Sequence, residues 1–323
     1  MINCFITGIT GQDGVFLTKR LLENNQNIHI YGSTRKADNS AFYKKLSSIY
    51  NYDNSKISLI NIDLLDNELV KKFLSDVKPD QIYNMTGPSS VYESYNFPTQ
   101  SKFQIMTIFD NLTKSLVELN YFPKLFQASS SEMFGALSHP NLTEDDNFEP
   151  ISPYAKAKLA NHNKVSLLRE DYDWEIYSGI LFNHESQFRN NKYLLMKIIN
   201  TARAISMKNA EKITLGSLDY RRDWTYAEDT VDAILKIIYS NTMQDFVIGS
   251  GSTHSINDMA NIVFDYFNLK LEKYIHIDSS LLRKNDPIIV GCSPCKLIDN
   301  TGWKIKSNFE NMIIKTIEGQ LLY

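Results

Sequence analysis

The sequence contains little of what several large classes of protein depend on. Only three of its 323 residues are cysteines, namely Cys4, Cys292 and Cys295. An odd and low count argues against a disulfide framework and favours a reducing compartment. Cys292 and Cys295 have a CxxC spacing, but no second pair of cysteines or histidines accompanies them. We therefore expect no metal site.

Long apolar runs are missing as well. None approaches the roughly 20 residues that a membrane-spanning helix needs. The first residues contain no basic segment followed by a long apolar stretch, and residues 2–7 have the pattern of a strand. We therefore expect no signal peptide, no membrane partner and a cytoplasmic location.

An excess of positive charge is also absent. Lys and Arg number 34 against 37 Asp and Glu, which gives a net charge of −3, so nucleic acid is not an expected partner. What is present is an ordinary globular composition, 43% hydrophobic and 22% charged. The length fits one large domain or two joined ones, at roughly 100–200 residues each.

The first half of the chain alternates short apolar runs with amphipathic stretches, a pattern typical of repeated βα units. Strands are predicted at residues 3–7, 28–33, 57–61, 81–85, 124–129 and 175–181. Helices are predicted between and after them at residues 15–23, 67–75, 99–119 and 152–172. This order predicts an α/β fold with a doubly wound parallel sheet of the Rossmann type, which binds ligands at the carboxyl ends of its strands.

After about residue 182 the pattern changes, and no Gly/Ser-rich or Pro-rich linker marks a boundary. The prediction here is a helix at 193–207, a strand at 212–215, a charged turn at 219–223, and a helix at 227–240 and a strand at 245–248 that return to the sheet. We therefore expect a Rossmann domain of residues 1–181 with about 226–249. A smaller α/β substrate lobe of about 182–225 and 250–323 is interwoven with it.

A glycine-rich turn separates the first predicted strand from the first helix. Gly8, Gly11 and Gly14 have a GxxGxxG spacing, which lets a pyrophosphate approach backbone N–H groups at the positive end of a helix. The second strand runs into Arg35 with no acidic residue before Asp38. Because an arginine at this point accommodates a 2′-phosphate, the sequence favours NADP over NAD.

Two further features point to redox chemistry on a hydroxyl group. Tyr154 and Lys158 lie at i and i+4 and so share one helical face. A nearby ammonium and a positive nicotinamide ring would lower the pKa of the tyrosine, which could then take a proton from a sugar hydroxyl. Ser130 leaves a core strand and can bind the same hydroxyl. Glu132 follows it and is a candidate base for a proton next to a ketone.

Other polar residues follow strands or lie in the smaller lobe. Asp63, before Leu64, ends the third strand, where a carboxylate can receive an adenine amino group. Asn183 and His184 follow the sixth strand and can touch nicotinamide and sugar. Scattered basic residues of the smaller lobe are Arg189, Lys197, Arg222 and Arg283. The pair at 221–222 suits a diphosphate, because a guanidinium offers a planar fork to phosphate oxygens.

Taken together, the segments GITGQDG, SSSEMFG, SPYAKAK, GILFNHES and LGSLDYRRDW resemble the GDP-mannose 4,6-dehydratases, which are extended short-chain dehydrogenase/reductases. The resemblance covers nearly the whole chain. It implies a bound NADP that is recycled, and a homo-oligomer, either a dimer or a tetramer. It also implies that the C4 hydroxyl of a GDP-sugar is oxidised, that the C5 proton and then water from C6 are lost, and that hydride returns to C6.

The resemblance assigns roles to particular residues. Tyr154, assisted by Lys158 and Ser130, would oxidise C4, and Glu132 would take the C5 proton. The cofactor positions it implies, taken with the glycine-rich turn and Arg35, are Gly8, Ile9, Thr10, Gly11, Gln12, Asp13, Gly14, Arg35, Asp63, Leu64, Met85, Thr86, Gly87, Ser89, Tyr154, Lys158, His184 and Arg189. The substrate positions are Ser89, Glu132, Asn183, Lys197, Arg222 and Arg283.

Differences from the family pattern leave the sugar open. Pro88 and Ser90 alter the loop beside nicotinamide and sugar, so the substrate is GDP-mannose or a relative such as GDP-heptose.

Two rival interpretations also stay open. One is a C4 oxidase, epimerase or reductase of the same fold, which has no need of a base at Glu132. The other is an inactive cofactor-binding regulatory or scaffold protein, against which the intact catalytic residues argue.

Overall fold

The structure, a computed structural model, describes residues 1–240, 242–283 and 285–322. Its strands are β1 (Ile2–Thr7), β2 (Ile28–Thr34), β3 (Ile57–Asn61), β4 (Gln81–Asn84), β5 (Lys124–Ser130), β6 (His139–Leu142), β7 (Ile176–Leu181), β8 (Asn183–Glu185), β9 (Ile213–Leu215), β10 (Arg221–Tyr226), β11 (Asp245–Ile248), β12 (Thr253–Ser255), β13 (Ile275–Ile277) and β14 (Ile289–Cys292).

Its α-helices are α1 (Gln12–Asn24), α2 (Ser40–Ser47), α3 (Asn67–Val77), α4 (Val91–Asn96), α5 (Pro98–Glu118), α6 (Pro153–Tyr172), α7 (Leu194–Ser206), α8 (Ala227–Ile238), α9 (Ile256–Tyr266), α10 (Cys295–Thr301) and α11 (Phe309–Leu322). Short 3₁₀ helices lie at Asn54–Lys56, Ser131–Phe134, Leu271–Lys273 and Ser279–Leu281.

The large sheet has seven strands in the order β11-β7-β5-β4-β1-β2-β3, and every neighbouring pair is parallel. Strands β4 and β7 are buried along their whole length, as expected for a sheet covered by helices on both faces. The predicted α/β fold of the Rossmann type is confirmed. Because the order reverses between β1 and β4, the cleft at their carboxyl ends is where such a sheet binds ligands.

The chain returns to this sheet late. Helix α8 packs against α1, and β11 then pairs with β7 at the edge, with Asp245 opposite Ser178 and Ile248 opposite Leu181. The predicted return of residues 245–248 is therefore confirmed. The division into a cofactor domain and a substrate lobe remains a proposal.

A second sheet combines β6, which lies between β5 and β7 in sequence, with strands from the later part of the chain. Its strands run in the order β12-β10-β14-β6, and β8 pairs with the other end of β10. The predicted charged turn at 219–223 is wrong, because residues 221–226 form strand β10. The acidic residue of this segment, Asp223, is fully buried and accepts hydrogen bonds from the N–H groups of Ser250 and Gly251 at 2.7 and 2.8 Å.

The part of the molecule around the large sheet and the part around the second sheet share one hydrophobic core. A single cluster of buried apolar side chains runs from Ile6 and Phe16 beside the large sheet to Met259 and Ile317 on α9 and α11. In the part of the chain that the structure describes, no helix combines the length and the apolar character that crossing a bilayer requires.

Candidate active site

The turn between β1 and α1 is built for close approach. Gly8 has a φ of +70°, and a Cβ on it would lie 3.1 Å from the Thr86 Cα. A Cβ on Gly14 would lie 2.4 Å from the Ile9 carbonyl oxygen. Gly11 precedes the helix and supplies no side-chain cap, so first-turn N–H groups of α1 remain available to an anion. The turn therefore fits the pyrophosphate of a dinucleotide.

The first turn of α1 is tied to the segment after β7. The Gln12 amide donates to the His184 carbonyl oxygen at 3.0 Å, so its side chain is used within the protein. The Asp13 carboxylate lies 3.1 Å from His184 Nε2, and His184 Nδ1 donates to the Phe182 carbonyl at 2.8 Å. This chain of contacts fixes the imidazole at the floor of the cleft.

In the pair of Asp13 and His184, the effect of nearby charges on each pKa opposes the effect of burial. Burial would raise the pKa of Asp13, but the charge and hydrogen bond of His184, aided by Arg189, outweigh it and lower that pKa. Burial likewise opposes the charged imidazole, yet Asp13 raises the pKa of His184. The two residues therefore stabilise each other as an ion pair.

Helix α6 places the tyrosine and the lysine. It begins after Ser152, whose hydroxyl accepts the Ala155 N–H at 3.0 Å, and Pro153 is its first residue, a favourable start for a helix. This start fixes the rotation that turns Tyr154 and Lys158 toward β5. Both are buried, and the Lys158 ammonium donates to the Ala128 carbonyl at 2.9 Å.

The expected lowering of the tyrosine pKa is not produced by the protein itself. Burial raises the pKa of Tyr154 to about 12, and the Ser130 hydroxyl opposes this shift only in part. Burial also lowers the pKa of Lys158 to about 8. The Lys158 nitrogen lies 5.8 Å from the centre of the Tyr154 ring. Desolvation outweighs the attraction at this distance, so further positive charge is needed to favour the phenolate.

Strand β5 ends at the candidate base. Ser130 caps the 3₁₀ helix of residues 131–134 by accepting the Glu132 N–H at 3.3 Å. This tight turn directs Glu132 to the cleft, where its carboxylate lies 3.4 Å from Nη1 of Arg283. The Glu132 side chain is 30% exposed, so it is accessible from the cavity.

Two arginines line the same cavity as this carboxylate. Arg222 on β10 and Arg283 each place an Nη2 atom 3.0 Å from Oδ1 of Asp286. Burial lowers the pKa of Arg222, and Asp286 works against that shift. Both guanidinium groups border a cavity beside Asn183, where they can bind a diphosphate.

A cavity of about 590 Å³ brings most of the predicted site residues together. Those that line it are Asp13, Met85, Thr86, Gly87, Ser89, Ser130, Glu132, Tyr154, Lys158, Asn183, His184, Arg189, Lys197, Arg222 and Arg283. Lys197 also donates to the Thr214 carbonyl at 2.7 Å. The cavity therefore joins the predicted hydride-transfer residues to the predicted diphosphate residues.

The other predicted cofactor residues lie beyond this cavity. Gly11 and Gln12 line a neighbouring cavity of about 630 Å³, which Arg189 and Ser89 also border. Arg35 is exposed directly after β2. Asp63 is exposed and accepts the Leu65 N–H at 3.0 Å, as a turn residue does. Arg35 thus lies directly after β2 and Asp63 two residues after β3, while Gly8, Ile9 and Thr10 lie in the turn before α1 and Gly14 lies in the first turn of α1.

Some cleft residues had no signal in the sequence. Tyr193 Oη lies 2.7 Å from the Ser89 hydroxyl, and the Arg189 guanidinium stacks 3.7 Å above the Tyr193 ring. Lys45 on α2 donates to the Thr10 carbonyl at 3.2 Å and borders the neighbouring cavity. These residues belong to no recognisable motif, and only folding brings them to the cleft. Among the described residues no group of three or more potential metal ligands is close enough to hold an ion.

Comparison with known proteins agrees with this geometry. Residues 5–316 match the family model described as GDP-mannose 4,6 dehydratase. GDP-mannose 4,6 dehydratase 1 of Arabidopsis thaliana is 30% identical over 324 residues, which cover 98% of this chain and 89% of the relative. The human GDP-mannose 4,6 dehydratase is 33% identical over 268 residues, covering 80% of this chain and 70% of the relative.

Solved structures share the fold at low identity. UDP-glucose 4-epimerase of Thermotoga maritima has a TM-score of 0.85 at 17% identity, with 98% of each chain covered. dTDP-glucose 4,6-dehydratase of Bacillus anthracis, solved with NAD, has a TM-score of 0.84 at 16% identity, covering 99% of this chain and 96% of its own. RMD of Pseudomonas aeruginosa, solved with NADPH, has a TM-score of 0.81 at 18% identity, with 99% of each chain covered.

Proposed function

Because the chain belongs to the GDP-mannose 4,6 dehydratase family, we propose that it is a nucleotide-sugar 4,6-dehydratase. The substrate we propose is GDP-mannose, which would lose one water to give the 4-keto-6-deoxy sugar nucleotide. The observation that carries the proposal is the single cavity shared by Tyr154, Lys158, Ser130 and Glu132. A buried phenol beside an ammonium and a separate carboxylate is the set of groups that oxidation at C4 and deprotonation at C5 require.

A nicotinamide nucleotide, when bound, supplies the reversible acceptance of a hydride. The residues that would hold it are the glycine-rich turn of Gly8 to Gly14, Asp13 with His184, and Lys158. We propose NADP as the cofactor, because Arg35 and not an acidic residue follows β2. Relatives in fold have been solved with NAD and with NADPH, so a nicotinamide cofactor is common to them.

Each reacting group has a separate task. Tyr154 accepts the proton of the C4 hydroxyl, which the Ser130 hydroxyl orients by a hydrogen bond. Lys158 keeps positive charge near the Tyr154 phenolate that accepts this proton, and the Ala128 carbonyl holds the ammonium in place. Glu132 accepts the C5 proton, which the new ketone makes acidic. The C6 hydroxyl would then leave as water with the proton that Glu132 took from C5, and return of a hydride to C6 and of a proton to C5 would complete the 4-keto-6-deoxy sugar.

The substrate would lie between the two lobes. Arg222 and Arg283 would bind the diphosphate, and Asn183, Lys197 and Ser89 would line the rest of the nucleotide-sugar site. GDP-heptose is the alternative substrate within the same reaction class. We propose that the active protein is a homo-oligomer, as the family resemblance implies.

Mass spectrometry tests the proposal directly. Purified protein is incubated with NADP and either GDP-mannose or GDP-heptose, and the product is analysed for the loss of one water. Dehydration of GDP-mannose supports the proposal, and dehydration of GDP-heptose alone changes the substrate but keeps the reaction. Bound cofactor without mass loss from either sugar would refute the dehydratase assignment for these substrates.

A further inference from the structure

One guanidinium group lies between the proposed base and the proposed diphosphate site. Nη1 of Arg283 is 3.4 Å from Oε1 of Glu132, and Nη2 of Arg283 is 3.0 Å from Oδ1 of Asp286. Glu132 follows β5 of the large sheet, whereas Arg283 precedes β14 of the second sheet. This contact therefore joins the two parts of the cleft directly.

Asp286 occupies a position between two arginines that suits an anionic oxygen. Its Oδ1 atom is 3.0 Å from Nη2 of Arg283 and equally 3.0 Å from Nη2 of Arg222. An anionic oxygen between two guanidinium groups has the arrangement in which arginine pairs bind phosphate oxygens. A diphosphate that takes the place of the Asp286 carboxylate at both Nη2 atoms would leave Nη1 of Arg283 directed at Glu132.

We propose that Arg283 is a positioning residue that couples recognition of the substrate diphosphate to the placement of the Glu132 carboxylate. The inference rests on the proposed function. Because the guanidinium is planar and rigid, a phosphate oxygen at Nη2 and the carboxylate at Nη1 lie at a fixed separation. The diphosphate also fixes where C5 of the attached sugar can lie. Arg283 therefore sets the position of C5 of the sugar relative to the Glu132 carboxylate that takes its proton.

The exposure of the pair argues for positioning over stabilisation of the fold. The side chains of Arg283 and Glu132 are 32% and 30% exposed. Ion pairs that are this accessible to solvent add little to the free energy of folding. Arg222 serves as the control: it shares Asp286 with Arg283, and no hydrogen bond or ion pair between Arg222 and Glu132 is found among the described residues. Arg222 is also more buried, and its Nη1 donates to the Arg221 and Ile288 carbonyls.

The test compares Arg283→Lys with Arg222→Lys. Each lysine keeps the charge but loses the planar fork, so both variants should raise the KM for the GDP-sugar that wild-type protein dehydrates. Only Arg283→Lys should also lower kcat, by about 10- to 100-fold, since a misplacement on the order of 1 Å can cost this much. With substrate deuterated at C5, the isotope effect on kcat should increase in Arg283→Lys and match wild type in Arg222→Lys.

The outcomes separate this inference from the proposed function. Equal rises in KM with unchanged kcat and isotope effect in both variants would overturn the positioning role while dehydration by wild type stands. Wild-type protein that dehydrates no GDP-sugar would refute the proposed function itself. If Arg283→Lys fails to fold, as judged by thermal unfolding, Arg283→Gln replaces it and should show the same loss of kcat and the same isotope effect.

Discussion

Burial shifts the pKa values of Tyr154 and Lys158, the two groups at the proposed reaction centre, in opposite directions. It raises the pKa of Tyr154 to about 12 and lowers the pKa of Lys158 to about 8. Both shifts disfavour the charged form, because a desolvated charge costs free energy. The folded protein thus holds a neutral Tyr154 phenol and a poorly solvated Lys158 ammonium. The charge of a bound ligand can then change their protonation. Such tension between stability and activity is usual at functional sites.

Replacing the buried lysine should stabilise the protein while inactivating it. The pKa of Lys158 falls from 10.5 in the unfolded chain to about 8 in the fold, so at pH 7 its burial costs on the order of 3 kcal/mol. Lys158→Met should therefore raise the free energy of unfolding of the protein without added cofactor by about that amount. Urea denaturation at pH 7 measures it, with Lys156→Met, an exposed position of α6, as a control expected to change little.

The sign of the pH dependence follows from the same shift. Between pH 8 and 10.5 the unfolded chain keeps a proton that the folded protein releases, so wild-type stability rises with pH in this window. The advantage of Lys158→Met should shrink between pH 7 and pH 9.5. A variant that is less stable than wild type at pH 7 would contradict the argument.

The carboxylate at residue 132 can be tested without disturbing the cofactor. Glu132→Gln keeps the size and a polar contact for Arg283 but cannot accept the C5 proton. We expect bound cofactor at wild-type affinity and a rate of water loss at least about 100-fold lower, as general bases typically contribute. Mass spectrometry of the product and cofactor titration measure the two effects. Unchanged turnover would refute Glu132 as the base, and Glu149→Gln, at an exposed site, serves as the control.

Arg35 bears on cofactor choice. It is exposed directly after β2, where an arginine can bind a 2′-phosphate. Arg35→Ala should weaken NADP binding by about tenfold or more, since a hydrogen bond to a charged group contributes roughly 1.5–3 kcal/mol. NAD binding should change little and is the internal control in calorimetric titrations. Equal affinity of the wild-type protein for both nucleotides would count against the assignment.

The turns that connect strands and helices set the orientation of the side chains in the candidate active site. The turn from β1 to α1 brings Gly8 against Thr86 after β4, and the start of α6 at Ser152 sets which residues of that helix face β5. Helix α6 is held further along by His162, whose Nδ1 lies 2.9 Å from the Ser178 hydroxyl on β7. Rigid elements supported in this way hold reacting groups more accurately than free loops do.

Gly14, in the first turn of α1, lies tightly against the preceding turn. Its missing Cβ leaves room for the Ile9 carbonyl, which would lie 2.4 Å away. Because backbone must move to admit the methyl group, Gly14→Ala should destabilise the protein by about 1–3 kcal/mol and weaken cofactor binding. Thermal unfolding and cofactor titration measure both. Asn24→Ala, exposed on the same helix, is the control, and normal binding by Gly14→Ala would contradict the tight-turn argument.

The two parts of the molecule are joined by more than the cleft. The main apolar cluster includes Ile6 on β1 of the large sheet together with Met259 and Ile317 on α9 and α11. Strand β11 completes the large sheet only after the chain has built part of the second one. A continuous core of this kind favours one cooperative unfolding transition over two separate ones.

This continuity gives a test of the whole protein. Ile317 is fully buried, and Ile317→Ala should cost about 2–5 kcal/mol. The unfolding curves followed by tryptophan fluorescence and by far-UV circular dichroism should coincide in wild type and shift together in the variant. Separate midpoints, with only one of them moved by the substitution, would show that the two parts unfold independently.

Several features followed from short stretches of sequence alone. The glycine-rich turn at Gly8 to Gly14, the βα alternation and the shared face of Tyr154 and Lys158 depend on backbone sterics and helical periodicity, which act over a few residues. The same locality explains the error at 219–223: the charged residues suggested a turn, but Asp223 is buried where it accepts N–H groups of Ser250 and Gly251, some 27 residues away.

The sequence by itself thus determined which chemical groups the protein carries and the strand ends near which most of them lie. Only the tertiary structure decided that Arg283 meets Glu132 across 151 residues, that Tyr193 meets Ser89 across 104, and that Lys45 reaches the glycine-rich turn. The physical reason is that a side chain's partners across the cleft depend on how both parts pack around one core. No local periodicity encodes that packing.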